Sequence, residues 1–194
     1  MIKVLRPDAL SRYLRREMSA GVSGRQPPFN FRTVGGMVAR QQDTTHLRGP
    51  EDFIAGFRLD FPGSPFTPNI PVIHAMEFLA VDPDKFVIPL GAPTLPYPGI
   101  GYPPNQADVR VAAWEMFDAA RRSELDPGTY RMELNPWPYT GTGITANSEI
   151  GFPERWMRFG EVPESATIIE HDRRGVKVPV AIYRGAALGW ESLR

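Results

Sequence analysis

The chain has 194 residues, 42% of them hydrophobic, with 22 basic and 22 acidic side chains and a formal net charge of zero. That length can bury one substantial core, and the charge balance argues against a protein held to nucleic acid mainly by phosphate neutralisation, which needs a basic excess. Cysteine is absent, which excludes disulfides and thiolate-ligated metal, and no apolar run approaches the roughly 20 residues that a membrane-spanning helix needs.

The basic residues are 19 Arg and only 3 Lys, and guanidinium groups suit a bidentate grip on carboxylate or phosphate. There are 21 Pro and 18 Gly without a repeat or a low-complexity tract, so one domain over residues 1–194 is expected, built of short elements and long ordered loops. The first 25 residues carry Lys3, Arg6, Arg12, Arg15, Arg16 and Arg25 around no apolar centre, so no export signal is expected within this chain.

In chain order, Ile2–Leu5 reads as a strand and is followed by a helix entered through Pro7 and Asp8. In that helix Leu10, Tyr13, Leu14 and Met18 recur at helical spacing and most basic residues fall on the other face. Arg6 therefore sits where a strand becomes a helix. Residues 21–36 read as loop, and "MVARQQDTTHL" as holding a brief strand. "GPEDFIAGF" predicts a helix of one to two turns, because Pro50 suits the first helical position and Glu51 and Asp52 complement the positive end of the helix dipole. Arg48 just before it suits either an anion-binding helix start or a solvated cap.

"FPGSPFTPNIP" is turn chemistry, and "VIHAMEFLAV" and "KFVIPL" are two strands in the middle of the chain. Asn105 to about Arg122 has a cap and an apolar stripe (Val109, Ala112, Ala113, Met116, Phe117, Ala120) and reads as a helix. "DPGTYRMEL", "RWMRFGEV", "ATIIEHD" and "VKVPVAIY" read as strands, the last two joined by a hairpin turn in which Gly175 can take a positive φ. The class is α+β, with most of the C-terminal half β.

Three histidines (His46, His74, His171) show no metal-ligand spacing, and no metal site is expected. A nucleophile elbow of the G-x-S-x-G type and a phosphate-binding P-loop are both missing, and Ser64 in "PGSPF" suits a turn serine. The segment "NPWPYTGTGITANSEIGFPERW" (135–156) stands out: an aromatic, Pro- and Gly-rich loop that ends in Glu149 and Glu154. A carboxylate beside aromatic rings at a strand edge can hold a sugar hydroxyl and stabilise an oxocarbenium-like centre, the charge that develops when a glycosidic bond breaks. The same residues also suit surface charge and turn packing.

Three islands, "KVLRPD" with Arg6, "GSPFTPN" with Ser64 and Thr67, and "PERWMRFGEVPESAT" with Glu154, together resemble the ADP-ribosyltransferase-like toxin domains of bacterial polymorphic (Rhs-type) proteins. The resemblance implies a split, mostly antiparallel β core flanked by a few helices, and an enzyme that consumes NAD+ as a transferase or glycohydrolase. It implies that Arg6 pairs with the NAD+ phosphates, that Ser64 and Thr67 support the nicotinamide ribose, and that Tyr139 and Phe152 enclose the nicotinamide. Glu154 then stabilises the cation left behind, and Glu149 contacts the acceptor. It further implies a macromolecular acceptor, a cognate immunity protein, no membrane partner, and a secreted effector that acts in a target cell's cytoplasm.

Leu5 replaces the aromatic residue that many members carry before the Arg, no Ser-Thr-Ser run occurs, and Phe152 stands where arginine-directed transferases place Gln or Glu. The acceptor and the choice between transfer and hydrolysis therefore stay open. Two other readings accompany this one: a metal-independent ribonuclease with His46 or His74 as general base, and a non-enzymatic binding or immunity-type module anchored by Trp137, Tyr139 and Trp156.

Overall fold

The computed structural model describes residues 1–21, 28–57, 59–60, 64–82, 85–90, 131–134 and 155–194. The helix expected over residues 105–122 and the loop 135–154 lie outside the described residues. The described strands form two larger sheets and one short hairpin.

The first sheet has the order β1 (Ile2–Val4), β5 (Val72–Glu77), β9 (Thr167–Asp172), β10 (Lys177–Tyr183), β11 (Trp190–Ser192), with antiparallel pairing throughout. The second has the order β4 (Thr33–Val38), β8 (Arg155–Glu161), β6 (Phe86–Leu90), β7 (Arg131–Leu134), with β6 and β7 parallel and the other pairs antiparallel. The short hairpin pairs β2 (Met18–Ser19) with β3 (Phe29–Asn30). A mostly antiparallel α+β architecture is thus present.

The two large sheets meet where Ile2 bridges Ala39, with backbone hydrogen bonds in both directions at 2.8 and 2.9 Å. From that junction they enclose the larger core. Val34, Val38, Phe86 and Met157 of one sheet pack with Met76, Ile168 and Val180 of the other, and Leu5, Tyr13, Phe31 and Trp190 close it. Polar atoms that enter this core find partners: Trp190 Nε1 donates to the Phe31 carbonyl at 2.9 Å and the Tyr13 hydroxyl to the Thr33 carbonyl at 3.4 Å. Half-buried Lys3 does the same, donating from Nζ to the Met37 carbonyl at 3.3 Å. Burial pushes its amine down to about 8.

Helix α1 (Ala9–Leu14) is shorter than its apolar spacing predicts. Arg16 takes φ 54°, a left-handed conformation that no helix continues through, and Met18 lies in β2, 63% exposed, instead of completing the helical stripe. Arg12 also departs from the expected solvent face. It is 5% exposed, bonds Glu17 (2.8 Å) and Ser19 (2.9 Å), and lies 4.1 Å from the Phe29 ring, so it ties the helix to the β2–β3 hairpin.

Helix α2 (Pro50–Gly56) starts as its sequence predicts, with Pro50 in the first turn and the Asp52 carboxylate accepting the Arg48 and Gly49 N–H groups at 2.7 and 3.3 Å. It lays Phe53, Ile54 and Phe57 over the outer face of the first sheet, and with Ile2, Leu47, Phe66, Ile73 and Ala75 these make a second, smaller core. Past the β9–β10 hairpin, where Gly175 has φ 79°, the last elements are α3 (Gly185–Leu188) and β11, neither of which the sequence reading anticipated.

Candidate functional site

Arg6 follows β1 and is 52% exposed, its guanidinium 3.5 Å from Asp8. An exposed pair of this kind adds little stability, so the guanidinium can exchange Asp8 for another anion at small cost. Ser64 and Thr67 belong to the turn that leads into β5. The Ser64 Oγ accepts the Phe66 N–H at 3.2 Å, and Thr67 is exposed while its carbonyl accepts the Ile70 N–H at 3.0 Å. Both thus act in the local turn. Glu149, Glu154, Tyr139 and Phe152 lie outside the described residues.

Arg155, the residue after Glu154, opens β8 opposite Val38, next to the Ile2–Ala39 bridge. Arg6 is four residues further along β1 than Ile2, about 13 Å at strand rise. The described residues therefore place the start of β8 at one end of β1 and Arg6 just past the other, after Leu5, whose N–H bonds the His74 carbonyl of β5 (2.9 Å).

The start of β8 is held by a buried ionic cluster that the sequence reading missed. Asp43, with a side chain 1% exposed, accepts two bonds from Arg40 (2.7 and 3.0 Å) and lies 3.4 Å from Arg155 Nη1. The only local signal was Arg40 and Asp43 at i, i+3 in "ARQQD", since Arg155 is 112 residues away. Removing one partner from such a buried pair typically costs about 3–5 kcal/mol.

A second group joins β5 to β9. His74 Nε2 lies 3.2 Å from Glu170 Oε2, and Arg194 donates to Glu170 Oε1. Burial lowers the His74 pKa more than Glu170 raises it. Burial alone would raise the Glu170 carboxyl, but Arg194 and then His74 hold it below its ordinary value. The pair at neutral pH is a neutral imidazole beside a carboxylate, which fixes the ring with Nε2 as donor and leaves Nδ1 as the basic nitrogen.

His171, also on β9, faces the second core. It is fully buried against Phe53, ring centroids 4.5 Å apart, and neither ring nitrogen has a hydrogen-bond partner among the described residues. Alternation along "ATIIEHD" puts it on the same face as Ile169, a signal present in the sequence but not used. Beside it, a cavity of about 290 Å³ is lined by Gln41, Thr44, Thr45, Phe53, Glu77 and Lys177 among others. Its polar wall is largely satisfied from within: Gln41 bonds Glu77 at 2.7 Å, and Thr44 and Thr45 bond the carbonyls of Gln41 and Gln42.

Among the described residues no group of three or more His, Asp or Glu could hold a metal ion, and no helix is long and apolar enough to cross a membrane. No protein-family model, no curated protein and no solved structure matches this chain.

Proposed function

We propose that this domain consumes NAD+, as a mono-ADP-ribosyltransferase or NAD+ glycohydrolase, and serves as a bacterial effector that acts in the cytoplasm of a target cell. The exposed Arg6 guanidinium at the end of β1 carries the reading, since among the described residues its ion-pair partner is Asp8, at 3.5 Å and half in solvent, which it can give up for a pyrophosphate. The two-sheet, mostly antiparallel α+β core is compatible with it.

In this reading Arg6 grips the phosphates, Ser64 and Thr67 line the ribose side, and Tyr139 and Phe152 cover the nicotinamide. Glu154 holds the ribose hydroxyl and stabilises the oxocarbenium-like cation as nicotinamide leaves, and Glu149 meets the acceptor or water. Nicotinamide release from NAD+, followed by chromatography, tests it. Glu154→Gln is expected to lower kcat about 100- to 1,000-fold, the scale of a lost transition-state contact. Arg6→Ala is expected to lower kcat/KM about 10- to 100-fold with little change in unfolding free energy, because its ion pair is exposed. A folded wild-type domain that releases no nicotinamide would overturn the reading.

A further inference from the structure

His171 sits beneath helix α2 in a place where an imidazole can be neutral but not charged. Its surface exposure is zero, Phe53 of α2 covers the ring, and both ring nitrogens lack partners among the described residues. Its cross-strand neighbours are Ile73 on β5 and Lys177 on β10.

The carboxylates around it are turned to other tasks. Asp52 of α2 accepts the Arg48 and Gly49 N–H groups, and Glu51 is exposed. Asp172 accepts from the Arg174 and Val176 N–H groups, and Glu170 is bound by His74 and Arg194. Asp43 is held by Arg40 and Arg155, and Glu77 by Gln41. Arg173 of the hairpin turns its Nε to the Ile70 carbonyl. After burial itself, Lys177 and, once acid protonates it, His74 act on the ring with charge of its own sign, and together these push it down to about 4.

A proton on His171 thus creates a buried cation with no acceptor among the described residues. Helix α2 above it has seven residues, too short to persist as an isolated helix, and is held on the sheet by Phe53, Ile54 and Phe57. We propose that His171 is an acid-operated latch, which when neutral seats helix α2 on the sheet and when protonated drives that helix off it, exposing Phe53 and Phe57.

Hydrogen–deuterium exchange of the whole chain, corrected for intrinsic rates, tests this. Going from pH 7 to pH 5, the opening of α2 amides is expected to rise about 20-fold, and about 100-fold at pH 4, and at each pH to exceed the opening of the β10–β11 amides, which follows global unfolding. In His171→Leu the α2 rise falls below about twofold. If that variant does not fold, the His171 imidazole resonance in the wild type must titrate with the same midpoint as the α2 opening. Equal acid sensitivity of α2 in the two proteins, a mismatch of midpoints, or α2 amides that open no more readily than those of β10–β11 overturns the latch.

Discussion

The core between the two sheets and the core beneath α2 are built from the same apolar residue types, yet they treat polar atoms in opposite ways. The first admits a tryptophan N–H, a tyrosine hydroxyl and a lysine ammonium and gives each a backbone carbonyl. The second admits an imidazole and, among the described residues, gives it no partner. Each buried polar atom left without a partner costs about 1–3 kcal/mol, so the smaller core holds a liability that the larger one avoids. Titration separates them as well. Lys3, at about 8, stays cationic and bonded at neutral pH, whereas His171, at about 4, stays neutral until acid reaches it.

Three measurements break or sharpen that contrast. The largest expected effect comes from Phe53→Ala, which removes the ring that covers His171 and should lower unfolding free energy by about 3–5 kcal/mol in urea titrations. A loss under about 1 kcal/mol would show that the smaller core contributes little. Next is acid itself. The folded His171 titrates below its unfolded value of about 6.5, so its contribution is full above pH 6.5 and is lost as pH falls through about 4. Urea midpoints should report a loss of about 3 kcal/mol between pH 7 and pH 4, and His171→Leu should remove that part of the slope. The smallest is Trp190→Phe, which leaves the Phe31 carbonyl unpaired in the larger core and should cost about 1–2 kcal/mol at both pH 7 and pH 5. A cost that changes between these two pH values would mean that the cores are not independent.

Legibility in the sequence followed the range of the interaction. The start of α2 was readable because Pro50 and Asp52 act within one turn, and the β9–β10 hairpin because Gly175 marks its own turn. Helix α1 was over-read. The spacing of Leu10, Tyr13, Leu14 and Met18 looks continuous, but Arg12 turns inward to Glu17, Ser19 and Phe29 and the chain reverses at Arg16. "VIHAMEFLAV" and "KFVIPL" were readable as strands, but their membership in different sheets was not. Of the proposed site, Arg6 was legible as an exposed strand-end cation, whereas Ser64 is occupied by its own turn.

By itself the chain determined its class, most of its strands and its turn chemistry, because alternation, proline and glycine act between neighbours in sequence. Only the tertiary structure decided which buried polar groups meet a partner. Asp43 finds Arg155 across 112 positions, Trp190 finds the Phe31 carbonyl across 159, and His171 finds none among the described residues. Hydrogen bonding is directional and extends about 3 Å, so its satisfaction depends on strand register and sheet packing, which local sequence preference does not encode.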